Sequence, residues 1–369
     1  MKDVIGYFPS WKWKSPGKVV RPRDLAFDKL TIVNYAFFAP RPDGTISGNN
    51  PIGDSLYLRC GGDTDLVSLA HSHGVKVMLS VGGWDDSGNF PAVASADSLR
   101  AAFAHSCVGA LRDFGFDGID VDWEFPGLPE HQGTPADTRN CTLLLRTLRD
   151  SLNSYGKSVG RTLLLTAALP AGQRMAQNFE MKEVAGILDF LNIMTYDFTG
   201  SWDALSYYNS PLYAPTWTDS SRSVAGAFSL YHRTYGIPAA KINLGVPFYG
   251  KTFASCSGPN MPHKGADTLH FPPDGGEYSR VMSLLPNFTR HWDDQARVPY
   301  LTSDDWKVMV SYDDEESVRA KAQFVIDNDA RGLIIWELTH DVMPDGSEPL
   351  LEAIAKTLGT HPPDPLLLK

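Results

Sequence analysis

Asp117-Gly118-Ile119-Asp120-Val121-Asp122-Trp123-Glu124 is the stretch from which both fold and chemistry can be read. In an extended strand alternate side chains share a face, so Asp120, Asp122 and Glu124 point one way while Ile119 and Val121 point the other. Neighbouring acids then stand about 7 Å apart along the backbone. The apolar residues between them cover the strand's other side, which places the acids on the inner face of a closed sheet. Three carboxylates on one enclosed face cannot all ionise cheaply. Burial and mutual repulsion raise at least one pKa and keep a proton available near neutral pH. A magnesium or calcium site and a buried hydrogen-bond network are the competing readings, the network being the costlier because it buries unpaired acids.

Working outward, short β-branched or apolar runs bounded by turn residues recur at 4–8, 31–38, 75–81, 118–123, 162–169, 190–196, 242–248 and 333–337. Ile32-Val33-Asn34-Tyr35-Ala36-Phe37-Phe38 and Leu163-Leu164-Leu165 are nearly continuous in apolarity, as strands covered on both faces require. Amphipathic helical patterns lie between the runs. Residues 97–114 set Leu99, Phe103, Val108 and Leu111 on one stripe, with Asp97 expected to cap the start. His71-Ser72-His73-Gly74 closes another helix, Gly74 taking the left-handed capping conformation, and 314–329 forms the helix before the last strand. Eight alternations predict an α/β fold, the parallel (β/α)8 or TIM barrel with its helices outside. Glu124 falls at the C-terminal end of the fourth strand, the end where barrel enzymes carry their active sites.

One segment breaks the rhythm. Residues 251–310, rich in Gly, Pro and aromatics, are too many for an ordinary connection between strand seven and its helix. They are read as a small α+β insertion standing on the barrel's upper rim. The barrel then takes 1–250 and 311–360, and the tail 361–369, with its repeated prolines, reads as a frayed end.

Composition excludes several partners. The sequence has 43 acids against 33 bases and no basic block, which argues against nucleic acid or an anionic membrane. No apolar run reaches the roughly 18–20 residues that a membrane span needs. The first strand starts at Asp3, leaving no leader ahead of it in this numbering. Cys60, Cys107, Cys141 and Cys256 form no Cys-x-x-Cys pair, so no metal site is indicated. Cys107 reads as a small buried thiol on a helix, and export would allow one or two disulfides of unassigned pairing.

The acidic stretch resembles the Asp-x-x-Asp-x-Asp-x-Glu signature of the family 18 glycoside hydrolases, the chitinase family. The resemblance covers nearly the whole barrel. Ser80-Val81-Gly82-Gly83-Trp84 is similar to the family's Ser-x-Gly-Gly element after strand three, and the run 194–202, Met-Thr-Tyr-Asp-Phe-Thr-Gly-Ser-Trp, to the element after strand six. Gly6-Tyr7-Phe8, Pro247-Phe248-Tyr249-Gly250 and the run 332–337 with Trp336 complete the set.

The resemblance implies chitin or N-acetylglucosamine oligosaccharides as substrate, cut at β-1,4 links with retention and without a cofactor. Catalysis would be substrate-assisted, an exception to the two-carboxylate scheme. Glu124 is then the proton donor and later the base, and Asp122 orients the 2-acetamido group. Asp120 holds or shares a proton with Asp122, while Tyr196 and Asp197 bind the acetamido group and the developing charge. Trp336 is expected as the floor under the distorted sugar, its ring covering the apolar sugar face. Tyr7, Phe37, Trp84, Met194, Trp202 and Tyr249 are expected along the groove, with Trp123 a further candidate. Trp11, Trp13, Trp217, Trp292 and Trp306 lie in loops or in the insertion. Lys251 stands where relatives with the insertion often carry Arg, keeping the charge without the planar fork. Two alternatives stay open: an endo-β-N-acetylglucosaminidase acting on glycoprotein glycans, which shares the acid motif, and a chitin-binding lectin, a class that loses the terminal acid Glu124 retains. A monomer working outside the cell, where the polymer lies, is the accompanying expectation.

Overall fold

A computed structural model describes residues 1–14, 20–59, 61, 65–272 and 276–360, so Cys60 and the tail at 361–369 lie outside the described residues. Eight strands begin within two residues of the apolar runs: β1 (Asp3–Pro9), β2 (Ile32–Pro40), β3 (Lys76–Gly82), β4 (Gly118–Asp122), β5 (Leu164–Pro170), β6 (Phe190–Met194), β7 (Ile242–Pro247) and β8 (Gly332–Trp336). Each runs parallel to its neighbours in the order β1-β8-β7-β6-β5-β4-β3-β2, and β1 pairing with β2 closes the ring. Closure sends all eight C-terminal ends to one mouth.

Alternation along the strands separates two cores. Val4, Phe8, Val33, Val77, Leu79, Ile119 and Val121 pack outward under the helices. Ile5, Ile32, Met78, Phe190 and Ile334 form a second cluster that fills the lumen. Each such side chain contributes about 1.5–3 kcal/mol on full burial.

The helix Asp97–Phe114 forms as the pattern requires and stops at Gly115, whose φ is 80°. Its buried stripe is Arg100, Phe103, Ala104, Cys107, Ala110 and Leu111, which leaves Leu99 and Val108 on the flanks. Asp97 does not cap this helix. The cap position is Ala96, and Asp97 is the first helical residue, its carboxylate bound to Arg100. An acid there still meets the positive end of the helix dipole. By contrast Asp314 caps Glu315–Asp327, accepting from Glu316 N and Ser317 N at 3.0 Å each.

After β7 the chain enters a second sheet. Its five antiparallel strands run in the order Gly276–Glu277, Tyr249–Ala254, Val308–Ser311, Val298–Ser303 and Thr289–Asp293, with the helix Tyr278–Leu284 beside them. Only Phe248 separates β7 from this sheet, so Tyr249 emerges at the barrel's mouth. Cys107, Cys141 and Cys256 are buried free thiols, and among the described residues no disulfide forms. Among those residues no helix is long and apolar enough to cross a membrane.

Candidate active site

The acids around β4 occupy different heights and different environments. Asp117 lies at the strand's N-terminal end, away from the mouth, where it meets His71 Nε2 at 2.8 Å and Arg161 at 2.6 Å and accepts Val77 N–H at 2.8 Å. Burial works to raise its pKa, but the bonds from His71 and Val77 and the charges of His71 and Arg161 hold it below the usual range. Asp117 therefore ties strand to helix at the barrel's floor.

Asp120 is fully buried inside. Its Oδ2 accepts from Tyr7 Oη at 2.8 Å and Ser80 Oγ at 2.9 Å, and its Oδ1 from Thr166 Oγ1 at 2.5 Å and Asn192 Nδ2 at 3.1 Å. Those donors come from β1, β3, β5 and β6, and Asn243 on β7 donates to Asn192 Oδ1 at 3.0 Å. Burial raises the Asp120 pKa and the four donors partly counter it. With both oxygens occupied twice, Asp120 meets Asp122 through its charge; among the described residues no hydrogen bond joins the two carboxyls.

Asp122 is 4% exposed, and its Oδ1 is buried with no hydrogen-bond partner. Burial, then the charges of Glu124 and Asp120, push its pKa well above the ordinary carboxylate value. Leaving a buried acceptor empty costs about 1–3 kcal/mol, so an orphan atom beside a cleft marks a place for a ligand's donor.

Glu124 sits half-buried just past the strand. Burial first, then the charges of Asp197 and Asp85, push its carboxyl up to about 8. Its backbone is anchored at both ends: its N–H donates to Ser87 Oγ at 2.8 Å, and its carbonyl accepts from His131 Nδ1. Ser87 Oγ also donates to the Gly83 carbonyl at 2.8 Å, and Gly83 N–H donates to the Asp122 carbonyl at 2.8 Å. The paired glycines make this approach feasible. Gly82 has a φ of 114°, and a Cβ there would lie 2.1 Å from the Asp122 carbonyl oxygen.

Beyond β6 the chain turns at Asp197, whose φ is 56°. One carboxylate oxygen of Asp197 accepts from Tyr249 Oη at 2.7 Å and pairs with Lys251 Nζ at 2.8 Å. Lys251 thus makes the single-point contact an ammonium can make, and it also lies 5.3 Å above the Trp202 ring. The neighbouring Tyr196 has room because residue 245 on β7 is glycine; a Cβ there would stand 2.7 Å from the Tyr196 ring. Burial, then the charges of Asp122, Glu124, Asp197 and Asp120, hold the Tyr196 phenol protonated and therefore a donor.

The expected aromatic residues divide by position. Trp336, at the end of β8, stacks on Phe37 with ring centres 5.6 Å apart and has Tyr7 at 5.3 Å and Trp11 at 6.5 Å. Tyr7 and Phe37 are 1% and 7% exposed, so they support Trp336 from beneath, and Tyr7's hydroxyl is committed to Asp120. Tyr249 is nearly as buried and is committed to Asp197, while Met194 is partly buried at the end of β6. Trp84 and Trp202 are open, at 50% and 67% exposure, and Trp84 stands edge-on to His131 at 4.7 Å. Trp123 is not in the groove. It points outward, 1% exposed, and stacks on Phe90 at 5.1 Å, because it has the same parity as Ile119 and Val121. Trp13 donates to Asn50, Trp217 packs on Tyr207, Trp292 lies between Arg290 and Arg297, and Trp306 stacks on His270.

Sequence reasoning overlooked the residues that hold the acids: Thr166, Asn192, Asn243, Ser87 and His131, with Ser80 noticed only as part of a motif. A signal was present for four of them. Ser80, Thr166, Asn192 and Asn243 are polar residues flanked on both sides by apolar ones, which a buried strand tolerates only where partners await.

Comparison with known proteins agrees with this geometry. The sequence pattern described as glycosyl hydrolases family 18 matches residues 3–341. The chain is 33% identical to chitinase A1 of Niallia circulans over 98% of its own length, and it spans 59% of that relative. A chitinase structure from Bacillus thuringiensis superposes with a TM-score of 0.88 at 32% identity, covering 98% of this chain and 70% of that one. The second catalytic domain of a Group II chitinase from Ostrinia furnacalis, a substituted form in complex with (NAG)5, gives a TM-score of 0.86 at 28% identity, with 98% of each chain covered. A closed barrel with Glu124 just past the C-terminal end of its fourth strand, joined to a pattern match over nearly its whole length, means that the chain belongs to family 18 of the glycosyl hydrolases.

Proposed function

We propose that the chain is a chitinase, hydrolysing the β-1,4 links between N-acetylglucosamine units of chitin and its oligosaccharides with retained configuration. The observation that carries this reading is the unpartnered Oδ1 of Asp122, buried beside a Glu124 carboxyl pushed up to about 8. An acetamido N–H is the donor that oxygen lacks.

In this reading Asp122 accepts the acetamido N–H and turns the acetamido oxygen toward C1. Glu124, protonated at neutral pH, gives its proton to the glycosidic oxygen as the C1–O bond breaks. The acetamido oxygen bonds to C1 and forms an oxazolinium ion. Tyr196 donates to the acetamido oxygen, and the charges of Asp120, Asp122 and Asp197 stabilise the cation. Water then attacks C1 and loses a proton to Glu124, while the bond from C1 to the acetamido oxygen breaks to restore the sugar.

Trp336 carries the apolar sugar face at the point of cleavage, and Trp84 and Trp202 offer open rings to neighbouring sugars. The second sheet walls one side of the cleft in this reading, its strand Tyr249–Ala254 supplying Tyr249 and Lys251 to Asp197. A monomer working outside the cell, where the polymer lies, completes the reading. Reducing-end release from chitin oligosaccharides by the wild type and by Glu124→Gln, with binding measured in both, tests the reading. The expected result is a loss of about 100-fold or more in rate with binding kept. Binding without release by the wild type selects the lectin reading. Activity on glycoprotein glycans alone selects the endo-β-N-acetylglucosaminidase.

A further inference from the structure

Asn209 is completely buried, and its side-chain amide is used twice. Its Oδ1 accepts the Asp197 N–H at 3.1 Å, and its Nδ2 donates to the Tyr249 carbonyl oxygen at 3.1 Å. Its backbone carbonyl accepts the Phe198 N–H at 3.1 Å, and its own N–H donates to Ser311 Oγ at 2.8 Å. The adjacent Ser210 donates to the Thr195 carbonyl at 2.6 Å and accepts from Lys321 Nζ at 2.8 Å. Lys321 in turn forms a fully buried ion pair with Asp313 at 2.7 Å. Residues 195–198 are therefore gripped from behind by Asn209 and Ser210, which are themselves anchored in the barrel's wall and in the second sheet.

Asp197 needs such a grip. Its left-handed backbone is unfavourable for a residue with a Cβ, at a cost of about 1 kcal/mol. Its side chain is 45% exposed, so packing does little to place it. What places the carboxylate is the turn beneath it, the Tyr249 hydroxyl and the Lys251 ammonium, and the single amide of Asn209 holds the backbone of both Asp197 and Tyr249. The Tyr249–Asp197 contact is thereby set at each end by one buried side chain.

We propose that Asn209 is the positioning residue for Asp197, holding its carboxylate where its charge reaches Glu124 and where a substrate's acetamido group meets it. Asn209 acts only through Asp197 and Tyr249. The proposal rests on the reading of Glu124 as the acid of a chitinase.

A residue that merely satisfied a buried hole would lower stability when removed and leave the Glu124 titration alone; a positioning residue moves that titration. The groups facing Glu124 are Asp122 from β4, Asp85 from the loop after β3, and Asp197 and Tyr196 from the segment after β6. Of these, Asn209 touches only Asp197. Because the Asp197 charge raises the Glu124 pKa, freeing Asp197 to swing into solvent lowers it.

The test is a cycle of four proteins: wild type, Asn209→Ala, Asp197→Asn and the double variant. Each is measured for kcat/KM against pH on a soluble chitin oligosaccharide, and for thermal unfolding. Asn209→Ala is expected to cost about tenfold to a hundredfold in kcat/KM. It should also move the alkaline limb down by roughly half a pH unit, in the direction of Asp197→Asn. On the Asp197→Asn background it should move the limb no further. A limb that stays put in the folded Asn209→Ala protein, or that moves equally in both backgrounds, overturns the proposal. If the alanine variant does not fold, Asn209→Ser makes a smaller lesion and takes its place with the same expectations. Carbon-13 NMR titration of labelled glutamate, with Glu124 identified by its loss in Glu124→Gln, reads the same shift without turnover. A wild type that cuts no chitin therefore defeats the chitinase reading while the placement by Asn209 is still decided.

Discussion

Asp120 and Asp122 stand two residues apart on one face of β4, yet Asp120 has four hydrogen-bond donors while Asp122 keeps a buried oxygen with none. Residue type and strand face are the same, so the difference is made by what surrounds them. Asp120 is held in place by the barrel itself. Asp122 is the member that, under the proposed function, a substrate's donor completes.

Removing one donor from the first of these should be felt as stability. Thr166→Val keeps the shape of the side chain and removes the hydroxyl that bonds Asp120 Oδ1. The expected loss is about 1–3 kcal/mol, read as a lower midpoint in thermal or denaturant unfolding. An unchanged midpoint would mean that Asp120 does not depend on this donor.

The pH dependence has a definite sign. As the proposed acid Glu124 would work only while protonated, and its pKa is pushed up to about 8 by burial and by the charges of Asp197 and Asp85. Activity should persist through neutrality and fall as pH rises through about 8, the limb belonging to the Glu124–Asp122 pair. A kcat/KM profile on a soluble oligosaccharide checks this. An alkaline limb near the ordinary glutamate value would sink the assignment.

Trp336 should carry affinity without touching the proton chemistry. In a Glu124→Gln background, where turnover does not consume the ligand, Trp336→Ala should weaken oligosaccharide binding by about 1–3 kcal/mol in calorimetric titration. In the otherwise unaltered enzyme the alkaline limb should stay where it is. Binding unchanged by this substitution would remove Trp336 from the groove.

Two glycines should respond in opposite ways to alanine. At Gly82 the φ is 114°, and an added Cβ would fall 2.1 Å from the Asp122 carbonyl oxygen, so Gly82→Ala should destabilise the fold and displace the end of β3. Gly186 lies within the helix Met181–Ile187 with nothing within 4 Å of a Cβ, so Gly186→Ala should raise stability by about 0.5–1 kcal/mol. Unfolding midpoints of the two variants decide both.

Much of the site was legible because its carriers are local. The alternation 118–124 put three acids on one face, and its position at a strand's C-terminal end put Glu124 at the mouth. Local reasoning failed where parity or closure ruled. Trp123 belongs by parity with Ile119 and Val121 and packs outward, whereas Trp84, beyond the end of β3, escapes the strand and stays half exposed. The expected cap at Asp97 falls one residue too late, because the helix starts at Asp97 itself.

By itself, then, the sequence determined the eight alternations, the barrel they build, the face that carries the acids and the motifs of the family, since hydrophobic periodicity and turn chemistry act over a few residues. Only the tertiary structure decided which acid is satisfied and which is left open. The donors to Asp120 come from 113, 40, 46 and 72 residues away, and the clamp on Asp197 comes partly from Tyr249, 52 residues on. No spacing rule links such positions; they meet because closing the ring brings distant strands to one lumen, and there burial makes every unpaired oxygen costly.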